Sequence, residues 1–204
     1  VASADAVGSR VVETSKGEIN LDGEWAWVPV YPALSEKVGV EITVDTPLEK
    51  LQAIADAHEI DYDPTHGADK MVMELFEELV EPSLIQPTFV YDYPSIAQPL
   101  ARPHRTQPGK VEAWDLIIGG MERGTGFSEL IDPVIQRERF TEQSLLAAKG
   151  DPEAMQLDED FLNALEFGSP PMGGLGLGID RLIMLLTGVG IRETILFPLL
   201  RPSS

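Results

Sequence analysis

Trp114-Asp115-Leu116-Ile117-Ile118-Gly119-Gly120-Met121-Glu122-Arg123 is the clearest hairpin signal in the chain. Gly-Gly suits a two-residue primed turn, whose central residues both need positive φ. A turn at Gly119-Gly120 sets Ile118 opposite Met121, Ile117 opposite Glu122 and Asp115 opposite Gly124. Working outward, Val11 to Thr14 and Glu18 to Leu21 read as a second hairpin around Ser15-Lys16-Gly17, with a frayed start before Val11. Thr46-Pro47-Leu48-Glu49 offers an N-cap, a proline at the first helical position and a glutamate three residues after the cap, so a helix is predicted to about His58. Met71, Val72, Leu75, Phe76, Leu79 and Val80 recur at helical spacing after Gly67, leaving Glu74, Glu77, Glu78 and Glu81 for the exposed face. Thr88 to Tyr91 reads as a strand, and the six prolines from Pro82 to Pro108 keep the surrounding chain extended or turning. Further helices are predicted from Asp132-Pro133 toward Lys149, stopped by Gly150, and from Asp158 to Phe167, closed by Gly168. A strand from Gly174 to Ile179 then leads into a helix from Asp180 to about Thr187. Strands and helices in blocks with mostly hairpin connections imply an α+β domain on an antiparallel sheet flanked by helices.

The chain has 204 residues, 43% apolar, with 34 Asp+Glu against 15 Lys+Arg and a net charge of -19. A chain this long buries roughly 70% of its unfolded surface, which excludes disorder. The acid excess excludes nucleic-acid binding by this segment alone, because no cluster of Lys and Arg is available to neutralise phosphates. No run approaches the ~20 apolar residues of a membrane span, and the first residues lack the basic start and apolar stretch of a signal peptide. With no cysteine, neither disulfides nor thiolate metal sites are available. These features point to a cytoplasmic, untargeted protein with no membrane contact through this segment.

Three constellations could carry chemistry. Asp115 and Glu122 fall on one hairpin face as diagonal neighbours, where two carboxylates repel unless a cation lies between them. Oxygen-only ligands suit Mg²⁺, which takes one or two carboxylates plus nucleotide phosphates; the alternative is a solvated face in a very acidic protein. Gly174, Gly176 and Gly178 share one side of a strand, with Leu175, Leu177 and Ile179 on the other. A flat object such as a nucleotide ring on the bare side would explain them, close backbone packing being the alternative. Asp180 can cap the next helix, which places Arg181 in its first turn, favourable to an anion or to a structural ion pair. Glu129 lies on the opposite face from Glu122 unless Gly124 or Gly126 forms a bulge, in which case it could bind a cationic group beside Phe127. His58, His66 and His104 lack metal-ligand spacing, and Trp25, Trp27 and Trp114 read as core or rim.

Taken together, Gly173 through Leu186 resembles motif 3 of the class II aminoacyl-tRNA synthetases, and Ile191-Arg192-Glu193-Thr194-Ile195-Leu196-Phe197-Pro198 through Pro202 is similar to the lysine member. Further matching blocks are Glu77 to Pro82, Gln86 to Phe89, Tyr93-Pro94, Pro99 to Arg102, Ile118 to Leu130 and Pro170 to Gly174. Trp114-Asp115, Pro103-His104-Arg105 and Gly150 to Met155 resemble the actinobacterial lysyl-tRNA synthetases, some of which are fused to lysylphosphatidylglycerol synthetase. The resemblance implies a class II synthetase-like sheet that is incomplete, since motifs 1 and 2 and the anticodon-reading OB-fold have no counterpart here. The chain is then the C-terminal part of a catalytic domain, divided into an N-terminal hairpin region (1–24), a helical insertion and extended segment (25–110), and the active-site hairpin, helices and motif 3 (111–204).

The resemblance also implies roles. Asp115 and Glu122 would hold the catalytic Mg²⁺. Glu122, Arg123, Gly176, Gly178 and Arg181 would bind ATP, with Arg181 catalytic at the γ-phosphate, and Thr125, Phe127 and Glu129 would bind L-lysine. Two positions depart from the common pattern, Asp115 for a glutamate and Thr125 for an asparagine. The implied reaction is lysine-tRNA ligation through lysyl-adenylate, with tRNA(Lys) and a homodimer belonging to the full-length protein and this segment inactive by itself. Alternatives are a ligase attaching lysine or β-lysine to a protein, the synthetase part of the lipid-modifying fusion, and a non-catalytic interaction module.

Overall fold

The computed structural model describes residues 2–148, 155 and 157–197. The helix stop expected at Gly150, most of the block from Gly150 to Met155 and the chain from Pro198 onward lie outside these residues.

The chain opens with a short helix, α1 (Ala2–Val7), where a frayed start was expected. Six residues are too few to show a period. What holds the helix is tertiary burial of Ala4; Arg10 also contacts Asp5 at 2.7 Å and Asp22 at 2.9 Å, but as exposed pairs these add little. The first hairpin forms as predicted, β1 (Val11–Thr14) pairing with β2 (Gly17–Asn20). β3 (Ala26–Pro29) and α2 (Val30–Val38) follow without a break, and neither was foreseen. α2 ends where Gly39 takes φ 73°, a left-handed cap.

α3 (Leu48–Ala57) starts one residue later than predicted. The Thr46 hydroxyl does not cap it; Oγ1 instead accepts the Thr43 N–H at 2.8 Å, closing the preceding turn. α4 (Ala68–Leu79) buries Met71, Val72, Leu75 and Phe76 as its spacing requires. Its outer face is less solvated than expected. Glu77 and Glu78 are exposed, but Glu74 pairs with His66, and Glu81, in a 3-10 turn from Glu81 to Ser83, is half-buried.

Among the described residues five strands form the main sheet in the order β3-β4-β5-β6-β7, with β4 Thr88–Tyr91, β5 Ala113–Ile117, β6 Glu122–Ser128 and β7 Gly173–Leu177. Every pairing is antiparallel except β3 with β4. That pair is parallel because α2, α3 and α4 intervene as a crossover, which a hairpin could not provide. One sheet face packs under the crossover helices, with Val30, Leu34, Leu51, Met71, Leu75 and Phe76 against Val90, Ala113 and Ile117. The opposite face carries Leu116 and Ile118 against Ile19, Leu21 and Leu185. Trp27 lies at the rim of this second face, 58% exposed and stacked 4.5 Å from Phe89.

α5 (Pro133–Ala148) starts where expected, the Asp132 carboxylate accepting the Val134 N–H at 2.9 Å. α6 (Glu159–Glu166) is capped by Asp158, which accepts the Phe161 N–H at 2.9 Å. After β7 come α7 (Ile179–Thr187) and α8 (Ile191–Thr194). Gly178, not Asp180, occupies the cap of α7; Asp180 sits inside the first turn and accepts the Thr194 hydroxyl at 3.1 Å. Among the described residues no helix is long and apolar enough to cross a membrane.

Candidate active site

The hairpin between β5 and β6 turns at Gly119-Gly120, with φ of 69° and 62°, and the Ile118 N–H donates to the Met121 carbonyl at 3.0 Å. Ile117 faces Glu122 as the two-residue turn demands. One step further the register shifts: Leu116 pairs with Gly124 and Asp115 with Thr125, so Arg123 is an extra residue without a ladder partner. A bulge was considered at Gly124 or Gly126; it falls at Arg123. An odd insertion reverses the parity of everything after it. Directly opposed residues share a face, so Asp115, Glu122, Thr125 and Phe127 all project from the same side of the sheet.

β7 adds to that side. Thr125 pairs with Gly176 and Phe127 with Gly174, so the glycine edge lies beside the acidic hairpin. Two of the glycines differ in what they face. A Cβ on Gly174 would collide with the Glu129 carboxylate, which shows that Glu129 also turns to this side. A Cβ on Gly176 would meet only the Thr125 methyl, at 3.8 Å. Close backbone packing therefore does not account for Gly176, and the surface above it is bare.

At the α4 end of this face lies a cleft of about 500 Å³ lined by Glu77, Glu81, Tyr93, Asp115, Glu122 and Arg181 among others. Arg181 donates to the Glu122 carbonyl at 3.1 Å and lies 3.5 Å from its carboxylate. Both side chains are close to half exposed, so that ion pair is worth at most about 1 kcal/mol and a bound anion can displace it. Among the described residues no side chain caps α7, which leaves the first turn around Arg181 open to an anion. Burial pushes the Asp115 carboxyl up from the ordinary carboxylate range; the nearby Thr125 and Tyr93 hydroxyls pull it back and Glu122 raises it further. Glu81 is also raised, first by burial and then by Asp115 and Glu122, with Arg181 and Lys16 opposing. Among the described residues, Asp115 Oδ1 and Thr125 Oγ1 are buried with no partner in hydrogen-bond geometry, so the Thr125 hydroxyl acts on the Asp115 carboxyl by proximity and not through a formed bond.

The cleft thus brings together Asp115, Glu122 and Arg181, with Thr125, Phe127, Glu129 and Gly176 along the same face. Arg123 does not join them. Its guanidinium is buried and donates to two backbone carbonyls, Ile118 at 3.1 Å and Arg181 at 2.7 Å. Its side chain lies within the scaffold, because a residue in a bulge leaves the alternation that would have aimed it at the cleft. Gly178 likewise serves as the cap of α7, its N–H donating to the Arg123 carbonyl at 2.9 Å. Glu77, Glu81 and Tyr93 were missed as site residues. Two acids four residues apart repel along a helix, and that like-charge spacing was the available signal for the glutamates; nothing comparable marked Tyr93.

Residues 7–201 match the family model described as tRNA synthetases class II (D, K and N). The chain is 54% identical over 205 residues to a lysine–tRNA ligase of Kineococcus radiotolerans, covering 98% of this chain and 41% of that relative. It is 55% identical over 203 residues to a lysine–tRNA ligase of Mycolicibacterium gilvum, at 98% and 40% coverage. A lysylphosphatidylglycerol biosynthesis bifunctional protein LysX of Mycobacterium marinum is 54% identical over 184 residues, 90% of this chain and 17% of that protein. The chain therefore spans about two-fifths of the length of the curated lysine–tRNA ligases it matches. With motif 3, the acidic hairpin and the sheet in place, the chain belongs to the class II (D, K and N) tRNA synthetases.

Proposed function

We propose that this chain forms the metal- and lysine-facing part of a lysine–tRNA ligase active site, working within a polypeptide of the relatives' full length. The observation that carries the reading is the bulge at Arg123, which gathers Asp115, Glu122, Thr125, Phe127 and Glu129 on one sheet face beside Gly176 and Arg181. An interaction module reusing the fold has no need to converge two acids and an arginine on one cleft. Half-buried Glu129, with Phe127 beside it, offers a carboxylate for the lysine ammonium. The bare backbone above Gly176 offers a floor for an adenine ring.

The residues fit a divalent cation. Asp115 Oδ1 is buried and unpartnered, and Asp115 and Glu122 face the same cleft. Among the described residues no group of three or more acids or histidines is placed to hold a metal ion, so Asp115 and Glu122 would hold Mg²⁺ as a pair of carboxylates. When bound, Mg²⁺ supplies neutralisation of the ATP phosphate charge. The chain's own part is positional and electrostatic. Glu129 and Phe127 orient lysine, and its carboxylate attacks the α-phosphorus of ATP, forming lysyl-adenylate and releasing pyrophosphate. A carboxylate is already ionised, so no general base is required. Arg181 stabilises negative charge gathering on the leaving pyrophosphate, from a helix start whose dipole acts in the same direction. Transfer to tRNA(Lys) then falls to regions outside this very acidic segment.

Lysine-dependent exchange of labelled pyrophosphate into ATP tests the proposal. A polypeptide of the relatives' length carrying this chain is expected to show it, Arg181→Ala to reduce it by about 10²-fold or more, and the 204-residue chain alone to give no signal above blank. Exchange supported by another amino acid and not by lysine overturns the reading.

A further inference from the structure

Arg123 is a buried cation whose hydrogen-bond partners, among the described residues, are both backbone carbonyls. It sits at the junction of three pieces of the cleft. Its Nη1 donates to the carbonyl of Arg181, its Nε donates to Ile118 at the hairpin turn, and its own carbonyl accepts the N–H of Gly178, the cap of α7. The Arg181 guanidinium in turn donates to the carbonyl of Glu122, the residue before Arg123. These contacts close a ring: the Glu122 carbonyl to the Arg181 side chain, the Arg181 carbonyl to the Arg123 side chain, the Arg123 carbonyl to Gly178. Apart from Arg123 and Arg181, the ring uses backbone groups only.

We propose that Arg123 is a positioning residue that sets the first turn of α7 against the β5–β6 hairpin, and so fixes the Arg181 guanidinium beside Glu122. A guanidinium can donate to two separated carbonyls in a fixed fork, whereas an ammonium is a single point with no such geometry. Lysine at this position keeps the charge and loses the fork; methionine loses both and removes the donations to the Ile118 and Arg181 carbonyls. The inference rests on the proposed activation of lysine for its catalytic consequence, but not for its geometry.

Two measurements test it. In a polypeptide of the relatives' length, Arg123→Lys is expected to lower kcat of lysine-dependent pyrophosphate exchange by ten-fold or more, with KM for lysine within two-fold. Adding Arg123→Lys to Arg181→Ala is expected to cost less than a further two-fold, because a residue acting through Arg181 has nothing left to position. A full additional ten-fold loss, or an effect on lysine KM alone, overturns the proposal. The second readout needs no activity: the Arg181 Nε–H resonance of the 204-residue chain is expected to shift or broaden in Arg123→Lys while the amide spectrum of α4 stays unchanged. An unmoved Arg181 signal overturns the proposal. If the unmodified polypeptide shows no exchange, the functional reading falls and the resonance alone decides the role of Arg123. Should Arg123→Met fail to fold, Arg123→Lys still carries both tests.

Discussion

Asp115 lies between the core residues Ala113 and Ile117 on one side of β5, a carboxylate placed where the neighbouring positions are apolar. Burial and the facing Glu122 raise its proton affinity. A carboxylate raised in the folded state binds its proton more tightly there than in the unfolded chain. Stability is therefore full below the ordinary carboxylate pKa and falls as pH rises through the raised one. Asp115→Asn removes that cost, so the variant is expected to melt about 2 °C or more above the parent at pH 7 without Mg²⁺, the gain narrowing as pH is lowered toward 4. Mg²⁺ is expected to raise the melting temperature of the parent and not of the variant; calorimetry with and without the ion checks both. At this scale the sequence was informative about residue types. Asp115, Glu122, Glu129 and Arg181 stand out by charge in glycine-rich or apolar runs, but Tyr93, lining the cleft from a proline-rich stretch, does not.

The Gly119-Gly120 turn shows how far an element can be read locally. Its primed geometry and the Ile117–Glu122 pairing follow from two glycines between apolar runs. Its setting does not: a Cβ on Gly120 would lie 3.0 Å from the Pro82 carbonyl and 2.8 Å from Lys16 Nζ, groups brought there from distant segments. Gly120→Ala combines a left-handed φ with that crowding, and is expected to cost about 1–3 kcal/mol in urea unfolding. The bulge one step beyond is the element that decides the site, and strand alternation alone argued against it. α4 was legible because six apolar residues recur at helical spacing. α2 was not, since it follows directly from β3 through Pro29, a residue that reads as a breaker but here occupies the helix cap.

For the molecule as a whole, a charge of -19 on 204 residues implies self-repulsion in the compact state. Ion pairs such as Arg10–Asp5 and Arg137–Glu159 are exposed and contribute little. Screening is therefore expected to stabilise: raising NaCl from 20 to about 200 mM should increase the melting temperature by a few degrees, and a fall would show that attraction dominates. The charge also divides labour. Under the proposed function it would suit a cleft for a cationic amino acid, with tRNA contact made by other regions of the enzyme. The amino-acid sequence by itself determined the α+β class, the positions of most helices and the main hairpin, because periodicity, caps and glycine turns act over a few residues, and its motif blocks separately carried the resemblance to the family. Only the tertiary structure decided that β3 joins β4 in parallel, that Arg123 is skipped by the ladder, and that Arg123 faces backbone carbonyls while Glu77 and Glu81 enter the cleft. Each of these depends on which distant segment packs opposite, and a one-residue slip in a strand reverses every side chain after it.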